Sequence, residues 1–175
     1  VGMRLYLQQH GTKKLVMCDD AVVVFLDVDG VLLPFGDGAQ SAKGLFPDAN
    51  LRALGAILGD APHHVRLVLS STWRVHADYV QAVLDDFQRF AAEHGGPLSR
   101  VTAFDDTTDK RTHGVRQHEI YAWLEAQAAP PRAWCALDDE PLTGASKELV
   151  VLSEYFRGHE IRCVSHEGLT QADAD

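Results

Sequence analysis

Short apolar runs that end in polar residues alternate along this chain with longer stretches of helical spacing. Residues 22–27 (VVVFLD) and 65–70 (VRLVLS) are β-branched and leucine-rich, and residues 133–138 (AWCALD) repeat the form more weakly. Such runs, apolar on both sides of the pleat, fit strands buried on both faces of a parallel sheet. Between them, Leu51, Leu54 and Leu58 share one helical face, with Asp48 or Asn50 as a cap and Gly59 and Pro62 as stop signals. Val80, Val83, Leu84, Phe87 and Phe90 make a second apolar face, ended by Gly95, Gly96 and Pro97. Ile120, Trp123 and Leu124 make a third, stopped by Pro130 and Pro131.

Further strands are expected around Arg100–Phe104 and Ile161–Val164. A hairpin is expected within residues 3–18, from Arg4–Leu7 and Leu15–Met17 joined through His10 and Gly11. The βαβαβαβ order predicts an α/β fold: a doubly wound, mostly parallel sheet with helices on both faces. No repeat or linker divides the chain, so residues 1–175 read as one domain.

In open sheets of this class, ligands bind beyond the carboxyl ends of the strands, near the point where strand order reverses. The polar strand ends are therefore candidates for one site: Asp27 with Asp29, Ser70 with Ser71, and Asp138 with Asp139. Residues alternate along extended chain, so Asp27 and Asp29 can face the same side. Asp-x-Asp-Gly alone is a common turn, but three polar strand ends in agreement favour chemistry over capping. Four gathered carboxylates repel unless a positive group joins them. A hard divalent cation with oxygen ligands fits, magnesium best, held by Asp27, Asp29, Asp138 and Asp139. Gly30 permits a sharp turn after the pair, and a backbone amide near it can approach a phosphate.

Composition trims the alternatives. A formal net charge of −9 gives no footprint for coating nucleic acid. No apolar run reaches membrane-spanning length and no signal segment opens the chain, so a cytoplasmic protein without membrane contact is expected. The three cysteines, Cys18, Cys135 and Cys163, are odd in number and in no CxxC arrangement, which disfavours a disulfide framework or a zinc cluster. The histidines show no metal-ligand spacing.

"FLDVDGVLL" resembles the first motif of the haloacid dehalogenase (HAD) superfamily, "LVLSSTWR" its second and "WCALDDEP" its fourth. The resemblance implies a HAD-like Rossmannoid fold and a magnesium-dependent phosphohydrolase working through an aspartyl-phosphate. On it, Asp27 is the nucleophile, Asp29 the general acid/base and Ser70 a phosphoryl hydrogen-bond donor, while Asp138 and Asp139 hold magnesium. "SSTWR", "RxxEIxxWL" and "GLTQAD" are similar to a narrower branch of small HAD-like domains, some of them in RNA-repair proteins.

The third motif of that superfamily supplies a cation, for which Lys110, Arg116 and Lys147 compete. Arg116 is favoured because it opens the helix before the last motif strand. Arg74 either lines the substrate entrance or is an ordinary solvated charge at a helix start. Glu140 reads as a helix-start carboxylate or a further metal contact, and Asp105 and Asp106 as loop residues without a catalytic role or as residues of the site's rim. The intervals Asp27–Ser70 and Ser70–Arg116 are too short for a full cap domain, leaving a short flap at 34–47 and an open site. The resemblance implies that an open site goes with larger substrates, including nucleic-acid ends and phosphoproteins. The expected partner is a phosphorylated small molecule or macromolecular end, with nucleic acid disfavoured by the charge balance but admitted by the resemblance. The rival reading is a catalytically silent module that binds phosphate or a partner.

Overall fold

The computed structural model describes residues 3–6, 14–17, 19–36, 44–59, 64–109, 115–143 and 150–175. Met3–Tyr6 (β1) and Lys14–Met17 (β2) pair antiparallel as a two-stranded ribbon. The connection expected through His10 and Gly11 lies outside the described residues, as do Cys18 and residues 37–43 of the expected flap.

The main sheet contains Asp19–Leu26 (β3), Val65–Leu69 (β4), Asp106–Thr107 (β5), Pro131–Asp138 (β6) and Glu160–Arg162 (β7). Its order is β5-β4-β3-β6-β7, and every pairing is parallel. The chain starts in the centre with β3, builds outward through β4 and β5, then returns to the other side of β3 with β6 and β7. The order therefore reverses at β3 and β6, as a doubly wound sheet requires.

Helices Asp48–Gly59 (α1) and Ala77–His94 (α2) cover one face, and Arg116–Glu125 (α3) and Val150–Phe156 (α4) the other. Val24 and Leu26 of β3 pack with Leu51, Leu54, Val83 and Phe87, while Val23 and Phe25 pack with Ile120, Trp123 and Phe156. Both sides of β3 are buried, which is why its sequence is an unbroken apolar run rather than an alternating one. Strand β6 is more open at its start and more closed towards Asp138, which accounts for its weaker signal. No helix among the described residues is long and apolar enough to cross a membrane.

The strand expected at Arg100–Phe104 is displaced. Pro97–Arg100 forms a 3-10 helix after Gly95 and Gly96, and pairing with β4 begins only beyond it. Asp105 causes the shift, because its carboxylate accepts the Leu67 N–H at 2.7 Å and its own N–H donates to the Leu67 carbonyl at 2.9 Å. The edge of β4 is thus met from Asp105 onward.

The turn after Asp29 is fixed by the C-terminal segment. Buried Asn50 donates through Nδ2 to the carbonyls of Val31, Glu167 and Leu169. Gly168, at φ +73°, lies so close that a Cβ there would come within 2.5 Å of the Val31 carbonyl. The last helix, Gln171–Ala174 (α5), follows with Thr170 and Asp173 forming a capping box.

Candidate active site

Strands β3, β4 and β6 lead from their apolar runs to Asp27, Ser70 and Asp138, edge strand β5 adds Thr108, and the backbone ladder pins these ends. Asp27 donates its N–H to the Leu137 carbonyl at 3.0 Å, Ser70 to Leu26 at 2.8 Å and Thr108 to Leu69 at 3.1 Å. Asp27, Ser70, Thr108 and Asp138 are all buried. A parallel sheet aligns these ends, so residues far apart in sequence meet at one edge.

Asp27 Oδ1 accepts the Val28 N–H at 2.7 Å, and Asp27 Oδ2 accepts from Arg116 at 2.7 Å. The same guanidinium donates from Nε towards Asp138 Oδ2 at 3.2 Å and from Nη1 to Ser70 Oγ at 3.3 Å. Arg116 therefore bridges three strand ends in the fork geometry that arginine provides. It is the cation favoured from sequence; Lys110 and Lys147 lie outside the described residues.

One arginine does not neutralise the cluster. Carboxylate oxygens of Asp27, Asp138 and Asp139 lie within 4.8 Å of one another. Burial pushes Asp27 upward despite Arg116, Ser71 and the Val28 amide, and the charge of Asp29 adds to the rise. Asp138 is pushed up to about 7 by burial, with Asp27 and Glu140 adding and Arg116 opposing. Asp139 is also raised, by burial first and then by Glu140 and Asp29. Three crowded acids that resist ionisation together are the donor set a hard divalent cation satisfies, so the residues fit magnesium.

Gly30 sits at φ +70°, and a Cβ on it would come within 2.3 Å of the Asp139 carboxyl group. Its role is close approach: it lets the first and last acidic pairs touch. Its own N–H is donated to the Leu33 carbonyl at 2.8 Å. Glu140 is exposed and lies in a bend, where its N–H donates to Asp138 Oδ1 at 2.9 Å, rather than at a helix start.

The turn Thr72–Val75 after β4 is a 3-10 helix capped by Ser71, whose hydroxyl accepts from the Trp73 N–H and, lying beside the Asp27 carboxyl group, opposes its upward shift. Arg74 is not a solvated charge. Its side chain is 6% exposed and pairs at 2.8 Å with Glu119, itself 5% exposed, while Nη1 donates to the Ser71 carbonyl. A buried acid on α3 draws the guanidinium inward, and burial depresses its pKa.

Two neighbours escape the sequence reading. Trp73 Nε1 donates to Asp29 Oδ2 at 2.9 Å. Thr108 Oγ1 lies 3.3 Å from Ser70 Oγ, behind the hydroxyl that Arg116 also reaches. Neither carries a sequence signal: tryptophan beside a turn reads as packing, and Thr108 follows a strand of only two residues.

The model of a family described as "HAD domain in Swiss Army Knife RNA repair proteins" matches residues 23–174. That span contains the whole main sheet after the first residues of β3 and every residue of the site. No curated protein and no solved structure matches the chain.

Proposed function

We propose, from the premise that this chain belongs to the family of HAD domains in Swiss Army Knife RNA repair proteins, that it is a magnesium-dependent phosphomonoester hydrolase using Asp27 as nucleophile. A HAD-like phosphatase or related role follows from the family itself. The observation that carries the finer reading is the Asp27–Asp138–Asp139 cluster, bridged by Arg116 yet still short of positive charge.

Asp27 attacks phosphorus, forming an acyl phosphate as the bond from phosphorus to the leaving oxygen breaks. Asp29, starting as the acid, gives its proton to that oxygen. Asp29 then takes a proton from the water that attacks phosphorus, inorganic phosphate leaves, and Asp27 returns as carboxylate. Ser70 and Arg116 hold the phosphoryl oxygens, and Ser71 and the Val28 amide orient Asp27. Asp27, Asp138 and Asp139 would hold magnesium, which would offset phosphate charge; Asp29, expected from sequence among the ligands, does not join that cluster and keeps its carboxyl group for the proton.

The described residues between Asp27 and Arg116 carry helices α1 and α2 and short 3-10 turns but no cap-sized unit, which supports larger substrates reaching the site. The family's place in RNA repair proteins favours phosphorylated RNA ends among them, against the acidic balance of the chain. Hydrolysis of 3′- and 5′-phosphorylated oligonucleotides at several salt concentrations separates the two: a steep fall with salt marks backbone contact.

The first test is hydrolysis of an aryl phosphate with magnesium or chelator, for wild type and Asp27→Asn. Magnesium-dependent turnover lost in the variant is expected; turnover retained by Asp27→Asn overturns the reading. The rival, a silent phosphate-binding module, draws support from both Asp27 oxygens being engaged, by Val28 and by Arg116. Magnesium-dependent binding of a phosphate analogue without turnover of any substrate would establish it.

A further inference from the structure

The 3-10 turn after β4 reaches the first strand end: Trp73, two residues beyond the capping Ser71, donates to Asp29 Oδ2. The Trp73 side chain is fixed independently. Its ring packs on Phe46 at 6.3 Å and on Tyr79 at 5.3 Å, and its backbone N–H is capped by Ser71 Oγ at 3.4 Å. Phe46 is fully buried, and its N–H donates to the buried carboxylate of Asp86 at 2.9 Å, so the indole rests on rigid ground.

We infer that Trp73 is the positioning residue for Asp29, sorting its two carboxyl oxygens so that one of them delivers the proton. The inference rests on the reading of Asp29 as general acid/base. An indole N–H only donates, so Asp29 Oδ2 must accept it. The contact fixes Oδ2 on the indole and holds the carboxyl plane against rotation, leaving Oδ1 as the oxygen free of the indole. Trp73 acts through Asp29.

Two measurements test this on the full chain. In a nitrogen–proton correlation spectrum the indole groups of Trp73, Trp123 and Trp134 give three resonances, and Trp73→Phe assigns the first. Asp29→Ala is expected to shift the Trp73 indole resonance while leaving that of Trp123, bonded to Asp106 at 2.8 Å, in place. An unmoved Trp73 resonance overturns the contact.

The second measurement is kcat/KM on two phosphomonoesters, p-nitrophenyl phosphate and a simple alkyl phosphate, in magnesium. A nitrophenolate leaves without a proton, whereas an alkoxide needs one. Trp73→Phe is therefore expected to lower kcat/KM for the alkyl ester by about 10²-fold, and for the nitrophenyl ester by about threefold or less. Tyr79→Leu, which loosens the packing of the indole but leaves its N–H, is expected to lower kcat/KM for the alkyl ester more than for the nitrophenyl ester, by less than Trp73→Phe does. Equal losses for Trp73→Phe would reduce Trp73 to packing and overturn the positioning role. If Trp73→Phe does not fold, Trp73→His retains a ring N–H in a smaller ring and is read by the same ratio. A wild type inactive on every ester removes the general-acid reading beneath the inference, and the inference falls with it. The indole resonance then shows separately whether the contact exists.

Discussion

Asp27, Asp138 and Asp139 at the sheet end, and Asp48, Glu93 and His94 where α1 meets α2, each bring three potential ligand atoms within 4.8 Å. An arginine closes each group, yet the physics runs in opposite directions. At the sheet end burial dominates, the carboxyl groups are pushed up, and Arg116 does not restore the balance. At the helix junction the residues are half-buried or exposed. Arg89 reaches Asp86 at 2.6 Å and Asp48 at 3.0 Å, and His94 reaches Asp48 at 3.3 Å. Slight burial opposes it, but hydrogen bonds from Arg89 and His94 hold the Asp48 carboxyl below its usual range. Arg89 is held up in turn, first by its bond to Asp86. Proximity of acids is common to both; only the first is left wanting charge. That deficit, rather than the acids themselves, marks the sheet end as the candidate site.

Removing the two arginines separates the regions most sharply. Arg116→Ala is expected to lower kcat/KM by about 10²–10³-fold, the loss typical of one fixed electrostatic group in the transition state. It should also destabilise the metal-free fold by about 3 kcal/mol or more, because Asp27 and Asp138 are left without their cation. Arg89→Ala is expected to cost about 1–3 kcal/mol, since buried Asp86 loses the guanidinium that pairs with it while it still accepts from the Phe46 amide, with turnover within about twofold of wild type. Chemical denaturation and steady-state kinetics on the same preparations check both. A comparable kinetic loss in Arg89→Ala would erase the distinction.

The same contrast explains what could be read from sequence. Asp27, Ser70 and Asp138 are legible as neighbours because each ends an apolar run, and a parallel sheet with one switch point brings such ends together. Arg116 stands out among three cations because it opens the helix leading to β6. The strand near residue 100 is misplaced because Val101–Phe104 is apolar enough to suggest a strand, while β4 takes its edge partner from Asp105 instead. The direction of Arg74 is hidden for another reason. Its partner Glu119 lies on a helix more than forty positions away, and nothing in the pattern of a surface-type helix marks that acid as buried. Trp73 and Thr108 act through single side-chain hydrogen bonds, which leave no periodicity.

Magnesium should act on one region and not on the other, with a sign that depends on pH. Asp138 is pushed up to about 7 in the folded protein, against an ordinary value of 3.8. Between those values the folded state holds a proton that the unfolded chain releases. Stability of the metal-free protein therefore falls as pH rises through that window, and the penalty is complete above about pH 7. Bound magnesium takes the place of the missing positive charge, so its stabilising effect is expected to be larger at about pH 8 than at about pH 5. Thermal unfolding midpoints with magnesium or chelator at both pH values measure it. An equal shift at the two would mean that the ion binds elsewhere than at these acids.

The smallest effect is expected at the helix junction. Asp48 has its carboxyl group held low, so its contribution is present above the ordinary value of 3.8 and is lost as pH falls through the depressed one. Its side chain is 29% exposed and its partners are solvated, which limits the contribution to at most about 1 kcal/mol. Asp48→Asn should therefore lower the unfolding free energy slightly near neutral pH and not at all in strong acid, and added salt should shrink the difference. The magnesium-dependent shift and kcat/KM should match wild type in this variant. A magnesium shift that vanished with Asp48 would move the cation from the sheet end to the helix junction, and the argument from unmet charge would have chosen the wrong cluster.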